Sequence, residues 1–232
     1  MSKLLKYLIN PGKRIVDADN IIFDFGGVLM KHNLIDCRRA FRNYMSDNTF
    51  YTRLGIGNEN PQGTLVDAYN RGMDTETFIA EVLKICKPGT TPEDVIWAWN
   101  MLHDNVPEER WEQICELRAK GYRTYLFSNT NELHWHDTMT KYQAQIEECF
   151  DGIFLSFMMH CAKPDKRIFK MVDKAIGADP ERTKFVDDSL ANREAAAKYV
   201  LWETCWDMKS LFSSIEIERL ADEVVAQYSK KK

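Results

Sequence analysis

The stretch Ile21-Ile22-Phe23-Asp24-Phe25-Gly26-Gly27-Val28-Leu29 constrains this chain more than any other. Its apolar and aromatic run reads as a buried strand, and the glycine pair behind it reads as a tight turn. Asp24 stands where the strand ends. An ionised carboxylate there is costly unless a cation or hydrogen-bond donors meet it. Asp24 is therefore expected to belong to a site.

Composition limits what that site can serve. Of 232 residues, 44% are hydrophobic and 28% charged, the balance of a soluble globular protein with one sizeable core, or one core and an inserted smaller domain. The net charge is −4 and no basic stripe interleaves with aromatics, so no nucleic-acid partner is expected, and a small anionic substrate needs a local positive site. Cys37, Cys86, Cys115, Cys149, Cys161 and Cys205 include no Cys-x-x-Cys pair. Neither a zinc framework nor a disulfide scaffold is expected, and a reduced cytoplasmic protein is the simplest reading. The apolar cluster Leu4, Leu5, Tyr7, Leu8 and Ile9 is broken by Lys6 and has no small-residue cleavage site, so it does not read as a signal peptide. No apolar run approaches the roughly 18–20 residues that span a bilayer, so no membrane partner is expected. Nothing in the pattern specifies an oligomeric state.

Taken in order, residues 1–18 read as a leading arm closed by Asn10-Pro11-Gly12. A first strand over residues 20–25 is followed by a strongly β-like run only at residues 123–128. The gap between them is far longer than a parallel crossover needs, so it should hold a separate subdomain. Its pattern is helical. Phe78, Ile79, Val82, Leu83 and Cys86 fall at three- and four-residue spacing, Thr91-Pro92-Glu93-Asp94 has the chemistry of a capped helix start, and Pro107 and Gly121 bracket a further helix. Residues 55–61, rich in glycine and asparagine, read as a flexible loop. Beyond residue 123, strands at 152–155, 183–186 and 199–202 alternate with helices at 164–176 and 189–199, and a closing helix covers 207–228. That alternation predicts an α/β fold with an open, mostly parallel, Rossmann-like sheet. The expected division is a core of residues 19–29 and 109–232 and a helical cap of residues 30–108. The tail Lys230-Lys231-Lys232 reads as solvated.

Ligands of open parallel sheets bind beyond the carboxyl ends of the strands. Each strand here delivers polar groups at that end: Asp24, then Ser128 and Asn129, then Lys163 in a loop, then Asp187 and Asp188. Singly, each has an ordinary reading as a turn acid, a helix cap or a solvated lysine. Together they suit phosphoryl transfer. Converging carboxylates favour Mg²⁺, Ser128 can hold phosphoryl oxygens, and Lys163 supplies positive charge to the transition state.

Asp24-Phe25-Gly26-Gly27-Val28, Leu126-Phe127-Ser128-Asn129-Thr130, Ala162-Lys163-Pro164 and Phe185-Val186-Asp187-Asp188-Ser189, in that order, resemble the four motifs of the haloacid dehalogenase superfamily. The resemblance is greatest to the branch with a helical cap between motifs one and two, which includes sugar-phosphate phosphatases and the phosphatase domains of epoxide hydrolases. It implies a Mg²⁺-dependent phosphatase of a small phosphorylated metabolite, a sugar phosphate among the candidates, with Asp24 as the nucleophile that forms an aspartyl-phosphate. It implies that Asp24, the Gly26 carbonyl and Asp188 bind Mg²⁺, with Asp187 ligating directly or holding a ligand. Ser128, Asn129 and Lys163 would hold the phosphoryl group, with Asn192 at the same site. The cap would act as a lid. One position departs from the pattern. Most such phosphatases carry a second aspartate two residues after the nucleophile, as general acid and base, and here it is Gly26. The alternatives are carbon–halogen hydrolysis, which uses the same nucleophile without metal and is disfavoured by Asp187-Asp188, and a non-catalytic phosphometabolite binder.

Of the remaining candidates, His134 and His136 should point to different faces of a helix, which argues against a metal pair, while His134 is placed to contact substrate. Met30 and His32 read as a solvated hinge or a lining of the cap entrance. Trp97, Trp99 and Met101 read as cap core or as an apolar substrate wall.

Overall fold

The computed structural model describes residues 19–57 and 62–229. The expected leading arm, residues 58–61 of the expected loop and the lysine tail lie outside the described residues. Five parallel strands form one sheet in the order β3-β2-β1-β4-β5. They are β1 (Asn20–Phe23), β2 (Arg123–Ser128), β3 (Gly152–Leu155), β4 (Thr183–Val186) and β5 (Glu203–Cys205). The acid-bearing strand takes the central place, with Phe23 in register with Leu126 on one side and Val186 on the other. Strand order reverses between β1 and β4, which is where open α/β sheets leave a crevice.

Among the described residues six helices lie between β1 and β2: α1 (Leu34–Phe41), α2 (Phe50–Leu54), α3 (Leu65–Asn70), α4 (Thr75–Leu83), α5 (Pro92–Asn100) and α6 (Glu108–Ala119). The first five close around a core of their own, in which Phe41, Phe50, Tyr69, Phe78 and Trp99 are buried and the Tyr69 and Phe78 rings stack at 4.0 Å. They form the helical cap. The expected apolar stripe of α4 faces inward through Phe78, Ile79 and Val82, and α5 starts on the expected capping box between Thr91 and Asp94.

The rest of the chain is α7 (Glu132–Cys149), the short α8 (Ser156–Met159), α9 (Lys166–Ile176), α10 (Leu190–Val200) and α11 (Met208–Ser229). Alternation along β1 sends Ile21 and Phe23 to one sheet face and Ile22 to the other. The first face packs against α6, α7 and α11 through Trp111, Ile114, Trp135, Ile146 and Leu211. The second packs against α9 and α10 through Phe169, Val172, Ala196 and Val200. The sheet is thus covered on both sides, as parallel sheets require. Among the described residues no helix is long and apolar enough to cross a membrane.

The last strand is not where the sequence pattern placed it. Residues 199–202 read as β-like, but α10 continues through Val200, Leu201 turns left-handed at φ 60°, and the strand is Glu203–Cys205. Trp202, buried between Phe169 and Phe185, anchors that turn. A leucine in a conformation that favours glycine gave the sequence no stop signal. Leu201 is 70% exposed, so little packing is lost on truncation. Leu201→Gly should raise stability by about 0.5–1 kcal/mol, read as a higher urea midpoint at an unchanged slope.

Candidate active site

The central feature is a lysine without exposed side-chain surface. Lys163 Nζ lies 2.6 Å from Asp187 Oδ2 and 3.1 Å from Asp24 Oδ1, and it donates to the Phe127 carbonyl at 2.9 Å. It also sits over the Phe127 and Phe185 rings, 5.0 and 5.4 Å from their centroids. Burying an ammonium is costly, and these partners offset the cost. Burial works against the lysine's charge, but Asp187 and Asp24 outweigh it, and its pKa is raised overall.

Asparagines position this lysine and its acids. Asn129 accepts from the Lys163 backbone N–H and donates to the Lys163 carbonyl, both at 2.8 Å. The amide expected to hold a phosphoryl group is thus engaged at both ends with the lysine loop. Asn192 donates to both Asp187 carboxylate oxygens, at 3.0 and 3.1 Å, and the Ser189 N–H donates to Asp187 Oδ1 at 2.9 Å. Ser128 is buried at the end of β2 and lines the cavity described below. Sequence reasoning missed Ser156. This buried hydroxyl donates to the Thr130 carbonyl and accepts from the Thr130 N–H, both at 3.0 Å, and so holds the loop that follows Ser128. Its position directly after β3 was the available signal.

Asp24 keeps its place through the strand ladder, its N–H donating to the Val186 carbonyl at 2.8 Å. Its Oδ1 also accepts from the Phe25 N–H at 2.7 Å. Asp188 is more open and lies against Gly27, where a Cβ would come within 2.1 Å of Asp188 Oδ2. Gly27 has φ +81°, so both its backbone and the space beside it require glycine. One carboxylate oxygen from each of Asp24, Asp187 and Asp188 lies within 4.8 Å of the others. Three carboxylates against one ammonium leave excess negative charge, and an oxygen-only donor set suits a hard divalent cation such as Mg²⁺. Burial pushes the Asp24 carboxyl up to about 7, with Lys163 opposing and Asp187 and Asp188 adding to the rise.

A cavity of about 600 Å³ opens above these groups, between the sheet edge and the cap. Asp24, Ser128, Lys163 and Asp188 line it from below, and His32, Arg71 and Trp99 from the cap side. The cap is joined to the core around it. Arg71 bridges Asp67 and Asp165, Asn70 accepts from Asn131 at 3.1 Å, and the Trp99 indole N–H donates to Asn131 Oδ1 at 3.3 Å. His134 belongs to this joint. Its Nε2 faces the Trp99 carbonyl at 3.1 Å, its Nδ1 faces Asn131 Nδ2 at 3.3 Å, and its ring stacks on Trp99 at 4.6 Å. Both nitrogens are engaged at this joint, and the residue also lines the cavity. His136 is exposed on another face. Of the expected apolar wall, Trp99 lines the cavity from the cap core, while Trp97 is 54% exposed and Met101 packs against the cap core.

A capped parallel sheet with acids and a buried lysine gathered at its switch point defines a hydrolase of Rossmann-like architecture. The chain belongs to the haloacid dehalogenase-like hydrolases, whose family model matches residues 18–199, from just before β1 into α10. D-ribitol-5-phosphate phosphatase of Bacteroides thetaiotaomicron is 26% identical over 75% of this chain and 84% of that protein. A crystal structure of a family enzyme from the same organism, in complex with magnesium and inorganic phosphate, matches with a TM-score of 0.69 at 26% identity, over 81% of this chain and 93% of that one. Glyceraldehyde 3-phosphate phosphatase of Pyrococcus furiosus is 26% identical over 53% of this chain and 50% of that protein.

The raised Asp24 pKa has a definite sign. Between pH about 4 and about 7 the folded chain holds a proton at Asp24 that the unfolded chain has released, so metal-free stability falls as pH rises through that window. A cation among the three carboxylates relieves the repulsion only where they are ionised. Mg²⁺ should therefore raise the calorimetric unfolding temperature more at pH 8 than at pH 5, and equal shifts would place the ion elsewhere.

Proposed function

We propose that this hydrolase is a Mg²⁺-dependent phosphatase of a small phosphorylated metabolite, a sugar or polyol phosphate, with Asp24 as nucleophile. The observation that carries the reading is the fully buried Lys163, shared between Asp24 and Asp187 beside a third acid. Relatives named for ribitol and glyceraldehyde phosphates support the substrate class, and a cavity of about 600 Å³ suits molecules of that size.

In this reading residues 19–29 and 109–232 are the catalytic core and residues 30–108 the lid. Asp24 Oδ1 is held by the Phe25 N–H and Lys163, which fixes the carboxylate and leaves Oδ2 for attack on phosphorus. The ester bond breaks, an aspartyl-phosphate forms, and water then releases inorganic phosphate. Ser128 and Lys163 contact the phosphoryl oxygens. Asn129 acts by fixing the lysine loop, and Asn192 by fixing Asp187. Asp24, the Gly26 carbonyl and Asp188 would hold Mg²⁺, with Asp187 ligating directly or holding a ligand. When bound, the ion neutralises charge on the phosphoryl group and on the attacking carboxylate. The lid excludes water from the covalent step. Six free thiols, five of them buried, suit a cytoplasmic setting.

A panel of phosphate esters, assayed with Mg²⁺ and with EDTA, tests this reading. Turnover should require Mg²⁺, and Asp24→Asn should lower kcat to background while leaving the unfolding temperature at or above that of the wild type. Turnover that survives EDTA or this substitution would overturn the mechanism. Phosphate binding without turnover would favour a binding protein, and metal-free halide release from a haloacid would favour dehalogenation.

A further inference from the structure

Gly26 brings no side chain to the nucleophile, yet the space beside it is filled. A Cβ on Gly26 would come within 2.3 Å of His32 Nε2 and 2.4 Å of His32 Cε1. Both distances are far inside van der Waals contact, so the imidazole edge stands where a side chain at position 26 would begin. The chain returns to this point by a closed route. The Gly27 N–H donates to the Met30 carbonyl at 2.8 Å, Gly26 bridges Met30, and the backbone of His32 bridges that of His103. The imidazole is therefore delivered by a pinned loop and lines the cavity that holds Asp24, Ser128 and Lys163.

His32 is open to the cavity. Its imidazole carries an N–H to donate. Among the described residues neither ring nitrogen is taken up by a hydrogen bond, in contrast to His134.

We infer that His32 is a catalytic residue that donates a hydrogen bond from Nε2 to the ester oxygen of the substrate, from the place a side chain at position 26 would occupy. The inference rests on the phosphatase reading. As Asp24 Oδ2 bonds to phosphorus, the bond from phosphorus to the ester oxygen breaks and its electron pair goes to that oxygen. The oxygen takes a proton from water and departs as the alcohol, leaving hydroxide. The imidazole keeps its proton throughout and stabilises the negative charge that builds on the leaving oxygen. Its contribution must therefore grow with that charge, being small for a nitrophenolate and large for an alkoxide.

The test compares 4-nitrophenyl phosphate, phenyl phosphate and ribitol 5-phosphate with Mg²⁺ in the wild type, His32→Ala and His32→Gln. His32→Ala should lower kcat by about 10²–10³-fold on the poorest leaving group, by less on phenyl phosphate and by only a few-fold on 4-nitrophenyl phosphate. His32→Gln, which keeps an N–H of similar reach, should recover part of the loss. Activity on 4-nitrophenyl phosphate shows that each variant is folded. Equal losses on all esters, no loss on any, or a glutamine variant as slow as alanine would overturn the inference and leave the phosphatase reading standing. A wild type inactive on every ester would overturn both.

Discussion

One ammonium group ties the carboxyl edge of this sheet together. Lys163 joins the acid after β1 to the acid after β4 and hydrogen-bonds the penultimate residue of β2, so three neighbouring strands end on one charge. A buried ion pair of this kind contributes little net stability by itself, because desolvation offsets much of the attraction. Its effect is geometric. Asn129 fixes the lysine loop from one side and Asn192 fixes Asp187 from the other, so neither charge can swing toward solvent. The negative charge that remains is concentrated on the cavity side.

The core fold was legible in the sequence because its signals are local. The first four strand runs, the Thr91 capping box and the inward face of α4 each sit within a dozen residues, and each formed close to where it was expected. The convergence of Asp24, Lys163, Asp187 and Asp188 was legible because four motifs in order fix four strand ends. What the sequence concealed depends on contacts between distant residues. Asn129 reads from the sequence as a phosphate contact, and only the folded chain shows its side-chain amide closed on the backbone of Lys163 while the residue lines the cavity. Nor did the sequence show that Trp99, from the cap, would meet both the His134 ring face and its Nε2. Leu201 hid a helix end because the turn is driven by the burial of Trp202 and not by a glycine.

The seam between cap and core combines two kinds of contact. Near Trp99, Asn131 and His134 it is neutral, and the imidazole is kept uncharged first by burial and then by its proximity to His103. At Arg71 it is ionic, with the guanidinium bridging Asp67 of the cap and Asp165 two residues after the buried lysine. The cap is therefore attached close to the residues that line the cavity. A change in the loop that carries Lys163 is felt directly by the cap.

The contact between Gly26 and His32 bears on how members of this family should be compared. The two positions share one volume, so a relative with a bulky side chain at the first needs a smaller residue or a displaced loop at the second. Aligned column by column, the glycine looks like a loss and the histidine like a neutral change. Taken as a pair, they are two ways of filling one space beside Asp24, reached from opposite ends of a single turn.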